Sequence, residues 1–295
     1  MSFRIRNWKF IIVVKHIPTN SIKQEVKNLG FDLVGITSAE PVDSTQIEYF
    51  EKWLAAGCYG TMGWLANNIE KRFNPALLLE GAKSVICTAL NYKPSKTSPK
   101  IASYALYEDY HNFIKDRLFK LADFLKSISP QDFKFKVCID SAPLAERALA
   151  ARAGLGFIGK NHLLTNPRLG SFLLLGELIT NLPLEADEPL DKKDFCKGCT
   201  KCINACPCGV FGDFFDARKC ISYLTIEHKG EIPQELAVKI RPHLFGCDEC
   251  ILACPYNEKA PVCANKDFKF FADRLDISAE DLIRRLLLGT RRSKG

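Results

Sequence analysis

Between residues 196 and 207 the chain reads Cys196-Lys-Gly-Cys199-Thr-Lys-Cys202-Ile-Asn-Ala-Cys206-Pro207, a C-x2-C-x2-C-x3-C-P run. Bacterial ferredoxins hold iron–sulfur cubanes with this spacing, and the fourth cysteine serves a second cluster. The segment is therefore constrained to short loops that aim three thiolates at one cubane, with backbone N–H groups turned toward its sulfides. The proline ends the loop, so the fourth thiolate faces away. A second stretch, Cys247-Asp-Glu-Cys250-Ile-Leu-Ala-Cys254-Pro255, supplies three more ligands, and the pattern requires one further cysteine from upstream. Cys220 is the expected one. Its rival, Cys208, lies only two residues beyond Cys206, a spacing that strains both thiolates toward the same cube. Crossed ligation then assigns Cys196, Cys199, Cys202 and Cys254 to one [4Fe–4S] cluster, and Cys206, Cys220, Cys247 and Cys250 to the other. Structural zinc also uses C-x2-C pairs but seldom follows them twice with C-x3-C-P. Cys58, Cys87, Cys138 and Cys263 stand singly in mostly apolar stretches and read as small buried hydrophobes.

Thirteen cysteines in 295 residues would suggest disulfides in a small secreted domain. The longest apolar run near the start, residues 10–14, is far short of a membrane span or a signal-peptide core. A reducing, cytoplasmic setting is expected, with no membrane association. An apolar fraction of 47% supports a folded core. The net charge of +7 is concentrated at the ends: residues 1–20 hold four basic side chains and no acid, and residues 281–295 hold five against Asp281 alone. Such ends suit nucleic-acid phosphates or simply solvation.

Apolar spacing predicts a helix over residues 21–29, a strand over 31–36, a strand over 84–90 and a helix over 109–128. A strand over 135–139 then delivers Asp140 to a turn before a helix at 144–153, and a buried strand follows at 172–178. Strands and helices alternate, so residues 1–185 are expected to form an α/β domain. Proline and acidic residues at 181–193 mark a boundary. Residues 186–265 then form the cluster domain, and residues 266–295 an amphipathic helix with a basic tail.

The stretch from Cys138-Ile-Asp140-Ser-Ala-Pro through Glu146-Arg147 to Gly154-Leu-Gly156-Phe-Ile-Gly-Lys160-Asn161 closely resembles the epoxyqueuosine reductases. So do Glu70-Lys-Arg72-Phe-Asn-Pro75, Asp109-Tyr-His111, Gly170-Ser171-Phe, Cys220-Ile-Ser222-Tyr and Phe245-Gly-Cys-Asp248-Glu-Cys, all in the family's order over roughly residues 20–260. The resemblance implies a nitroreductase-like α/β cobalamin domain followed by a ferredoxin-like domain with two [4Fe–4S] clusters. It also implies reduction of epoxyqueuosine to queuosine at the wobble position of tRNA, with base-off cobalamin fed by the clusters. By the same likeness Asp140 is the proton donor, and Arg72, Asp140, Leu164, Leu175, Ser222 and Asp248 contact cobalamin. Read from the residues alone, Asp140 is a helix cap sooner than a proton donor, and it is the resemblance that reverses this. The implied partners are a tRNA anticodon loop and a low-potential electron donor such as flavodoxin or ferredoxin, with the chain a monomer.

Departures from the family are visible. Ala102 and Ser103 stand where relatives have cysteine and arginine, and the C-terminal helical repeats of many relatives are expected to be missing. Asp109-Tyr-His111 matches the start of the cobalt-binding D-x-H-x-x-G signature, but Ile114 occupies the glycine place, so His111 is not expected to ligate cobalt. The competing readings are a corrinoid reductase of the reductive dehalogenase type and a non-catalytic electron carrier.

Overall fold

The computed structural model describes residues 18–129, 132–191 and 194–284. The apolar run at 10–14 and most of the basic terminal residues lie outside this range. Ile22 and Val26, one turn apart, are fully buried and orient helix α1 (Thr19–Asn28). Gly30, at φ 90°, turns the chain toward strand β1 (Leu33–Ser38). Helix α2 (Ser44–Ala55) is capped by Asp43, whose carboxylate accepts the Thr45 N–H at 2.8 Å. Short α3 (Ile69–Phe73) precedes β2 (Ser84–Asn91), which is buried along its whole length. Helix α4 (Tyr110–Ile128) buries Phe113, Ile114, Leu118, Leu121 and Leu125 along one face, and Asp109 caps its start. Strand β3 (Phe135–Cys138), helix α5 (Glu146–Arg152), the small hairpin β4 (Phe157–Ile158) and β5 (Leu164–Thr165), and strand β6 (Leu173–Thr180) complete the domain.

The sheet order is β1-β2-β6-β3, and every neighbouring pair is antiparallel. Alternating strands and helices usually accompany a parallel sheet. Here the parallel relation survives between β2 and β3, which α4 joins, but β6 is laid between them in the opposite sense. Helices α1 and α4 cover one face, packing Val26, Ile114, Leu118 and Leu121 on Ile86, Leu90 and Leu178. Helix α5 covers the other, with Ala148, Leu149 and Ala153 against Val85, Cys87 and Ile179. Burying each large aliphatic chain contributes about 1.5–3 kcal/mol. The approach of α5 is close: a Cβ at Gly35 would lie 2.1 Å from the Ala153 carbonyl, so only glycine fits there.

Beyond residue 194 the elements are short, as expected for loops shaped around cysteines: α6 (Lys201–Asn204), α7 (Ile221–Ile226), α8 (Gln234–Ile240), α9 (Glu249–Leu252) and α10 (Pro255–Glu258). Their small core of Val210, Ile221, Leu224 and Ile240 is shared with Trp53 of α2. The chain then returns to the first domain as a strap. The Cys263 N–H donates to the Lys93 carbonyl at 2.7 Å, Phe268 stacks on Tyr107 at 4.7 Å, and the Phe271 N–H donates to the Leu106 carbonyl at 2.7 Å. A helix starts only at residue 279 and runs to the edge of the described residues. Among the described residues no helix is long and apolar enough to cross a membrane.

Candidate functional site

The cysteines gather into two quartets. Cys250 faces the charges of Cys247, Cys220 and Cys206, while Cys254 faces Cys196 and Cys199, and Cys202 faces Cys254 and Cys196. Burial, reinforced by neighbouring thiolates, raises the Cys250 thiol strongly and pushes Cys247 up to about 12. Four thiolates packed this way need a compensating cation. Among the described residues no three ligating side chains converge tightly enough for one ion. The crossed pairing of the two cysteine runs suits a pair of cubanes, in which each iron takes one thiolate. Cys208 is sealed in the apolar core with Val210 and Ile240.

The second quartet forms one wall of a cavity of ≈ 470 Å³ between the domains. Cys206, Cys220, Cys247 and Cys250 line it together with Ser222 and Asp248. The first domain supplies Tyr104, Arg147, Asn161 and the rings of Tyr49 and His162, with His162 stacked between Tyr49 at 6.1 Å and Phe211 of the cluster domain at 6.3 Å. Asn161 lines the cavity and has its amide nitrogen buried with no hydrogen-bond partner, an unmet donor in the wall. Asp248 is buried and its carboxylate accepts the Ser103 N–H at 2.6 Å, which fixes the cluster loop to the segment carrying Tyr104.

Asp140 adjoins this cavity. Tyr104, on the cavity wall, stacks edge-on against Tyr110 at 6.3 Å, and Tyr110 hydrogen-bonds to the Asp140 carboxylate. His111 completes the group: its Nε2 lies 3.3 Å from Asp140 Oδ2 and its Nδ1 lies 2.8 Å from Asp109 Oδ1. The His111 contact holds the Asp140 carboxyl below the usual carboxylate range, and the same contact raises the His111 imidazole. The Asp140 side chain is 63% exposed, so it can be reached from outside.

Of the residues expected at a cofactor site, Ser222 and Asp248 line the cavity, and Asp140 adjoins it. Arg72, Leu164 and Leu175 do not line it. Arg72 sits over the Phe50 ring with its Nε buried and unpartnered, near the Glu146 charge. Leu164 is a core residue of β5, and Leu175 packs half-buried on the same core from β6. His111 enters as a partner of Asp140. Its motif was visible in Asp109-Tyr-His111, but spacing said nothing of a residue 29 positions away.

The family model described as "Epoxyqueuosine reductase QueG, DUF1730" matches residues 72–141, and a "4Fe-4S double cluster binding domain" matches residues 195–257. An epoxyqueuosine reductase of Cyclobacterium marinum is 44% identical over 255 residues, which is 83% of this chain and 80% of the relative. The chain belongs to the epoxyqueuosine reductase family. A crystal structure of epoxyqueuosine reductase with an epoxyqueuosine-modified tRNA-Tyr stem loop superposes with TM-score 0.73 at 35% identity, covering 84% of this chain and 68% of the other. The Bacillus subtilis epoxyqueuosine reductase, with its aspartate catalytic loop swung out of the active site, gives TM-score 0.74 at 35% identity, covering 85% and 68%. The expected fold of an α/β domain followed by a double-cluster domain therefore stands.

One contact of this epoxyqueuosine reductase family member links the two domains electrostatically. Lys160 donates to the carbonyls of Lys197 and Cys199, at 2.8 and 3.1 Å, in the loop carrying the first quartet. A positive charge there favours the reduced cluster. Replacing Lys160 by Gln is expected to make that cluster's potential more negative, by on the order of tens of millivolts, as read by a spectroscopically monitored redox titration.

Proposed function

We propose that this chain reduces epoxyqueuosine to queuosine in tRNA. In this reading one [4Fe–4S] cluster is held by Cys196, Cys199, Cys202 and Cys254, and another by Cys206, Cys220, Cys247 and Cys250. Base-off cobalamin occupies the cavity and Asp140 is the proton donor. The observation that carries the proposal is the cavity itself, with four cluster thiols on one wall and the Tyr104–Tyr110–Asp140 group beside the other. Asn161 on the wall, with its unmet amide donor, suits the amide-fringed rim of a corrin, with Ser222 and Asp248 also on the wall; Arg72, Leu164 and Leu175 lie off it and would act only through their neighbours. Reduced cobalamin supplies the electron pair that epoxide opening and loss of oxygen as water demand, alongside two protons.

The chain's own residues govern those protons. At rest Asp140 is ionised and His111 is the proton store, since their contact lowers one and raises the other. A substrate covering the exposed carboxyl strips its water, which favours transfer of the proton from imidazolium to carboxylate. The charged pair is intact below the raised His111 value and is lost as pH rises through it. Activity is therefore expected to fall on the alkaline side, and His111→Gln to move that limb toward lower pH, as measured in a pH–rate profile.

The anticodon loop of tRNA would approach at Asp140. A low-potential one-electron donor would reach the first quartet, and the chain would work as a cytoplasmic monomer. The deciding experiment incubates the reconstituted chain with epoxyqueuosine-tRNA and a strong reductant, then analyses the digested nucleosides by mass. Queuosine is the expected product; none, with cofactors demonstrably loaded, sinks the proposal.

A further inference from the structure

A pair of carboxyl groups lies directly beneath the Asp140 turn. The Ser141 N–H donates to the Ile139 carbonyl at 2.5 Å across Asp140, whose φ is +51°. A three-residue γ-turn of this hand is rare and disfavoured for a residue with a side chain. What holds it is Glu146, at the start of α5: its Oε1 accepts the Asp140 N–H at 2.6 Å.

Glu146 is itself backed by Glu177, which is completely buried at the centre of the sheet. On β6, Glu177 is paired across the strands with Cys87 on one side and Cys138 on the other. Neither of its oxygens finds a hydrogen-bond donor in the backbone or in an amide or hydroxyl side chain, and the group it meets is the Glu146 carboxyl. Two carboxyls in such contact need a proton between them. The cations Arg72 and Arg147 act on Glu146, whereas the buried thiols Cys87 and Cys138 offer Glu177 no charge. Burial pushes Glu146 up to about 7 and Glu177 further still, so of the two the negative charge belongs on Glu146, facing the Asp140 N–H, and the proton on Glu177.

We propose that Glu146, anchored from below by Glu177, is the positioning residue that clamps the Asp140 turn in place for proton donation. The proposal rests on Asp140 being the donor, but its structural half is separable. The test is hydrogen exchange, read by mass spectrometry over residues 139–144 of the full cluster-loaded chain, together with the nucleoside assay. Glu146→Asp keeps the charge but is one methylene too short to reach. It is expected to speed exchange at the Asp140 amide about tenfold, the loss of one hydrogen bond, and to lower kcat with KM for tRNA unchanged. Glu146→Gln keeps an acceptor oxygen and is expected to restore most of the protection. Glu177→Gln, matched in shape and still a donor to Glu146, is expected to leave the amide protected. Unchanged exchange in Glu146→Asp, or equal loss in Asp and Gln, overturns the clamp; loss in Glu177→Gln overturns the anchor. If the unaltered chain makes no queuosine, the functional reading falls, and the exchange data still judge the clamp.

Discussion

Asp140→Asn is expected to lower the rate of epoxyqueuosine reduction by a factor of about 10²–10⁴, the usual contribution of a positioned general acid. The two clusters and cobalamin should bind as before. The substitution suits the position. Asparagine tolerates the positive φ of this turn better than most residues, and its amide matches the carboxylate in size. The side chain is largely exposed, so losing its pairing with His111 should cost the fold no more than about 1 kcal/mol. A fall in rate with unchanged melting temperature and unchanged cofactor content therefore isolates the proton. A variant within tenfold of the wild-type rate would remove Asp140 from the role and turn attention to Tyr104 on the cavity wall.

The second large effect concerns the fourth ligand of the cavity-side cluster. Cys220→Ser should bring bound iron down from about eight per chain toward about four, since one cubane loses a thiolate. Cys208→Ser should leave the iron content unchanged. Cys220 shares the cavity wall with Cys206, Cys247 and Cys250, whereas Cys208, although it neighbours Cys206 and Cys220, is buried in the apolar core and does not line the wall. Iron and sulfide analysis with electron paramagnetic resonance after reduction reads the result directly. Iron lost in Cys208→Ser and retained in Cys220→Ser would reverse the two assignments. Activity should vanish in Cys220→Ser, because the cluster lost is the one beside the cavity.

The cysteine quartets were readable from residues alone because ligation is local: spacings of two and three residues set where a thiolate can point. Helix α4 was equally plain, since five apolar residues at helical spacing and a proline at 130 left little alternative. The sheet was harder. Nothing in residues 172–178 says that β6 inserts between β2 and β3, for strand order is decided by long-range packing that a short apolar run does not encode. The strap at residues 266–277 is also invisible in advance. Phe268, Phe270 and Phe271 show no single period because the first two close on the one ring of Tyr107 while the third lies under the Arg274 guanidinium of the strap itself. At the site, Asp140 stood out by its place in a recognisable block, while its helpers did not. His111 and Glu177 reach that corner from α4 and from mid-sheet, and a buried glutamate in an apolar strand reads as an oddity until its neighbours are known.

The strap has a further implication. The cluster domain is fastened to the α/β domain at its entry, where residues after β6 run along it, and again at its exit through Cys263, Phe268 and Phe271. A module tethered at both ends has no free arm on which to swing. The width of the cavity between the second quartet and the tyrosine wall is then set by the fold, so delivery of electrons to a group bound there would need no swing of one domain against the other, and solvent viscosity would have no purchase on it.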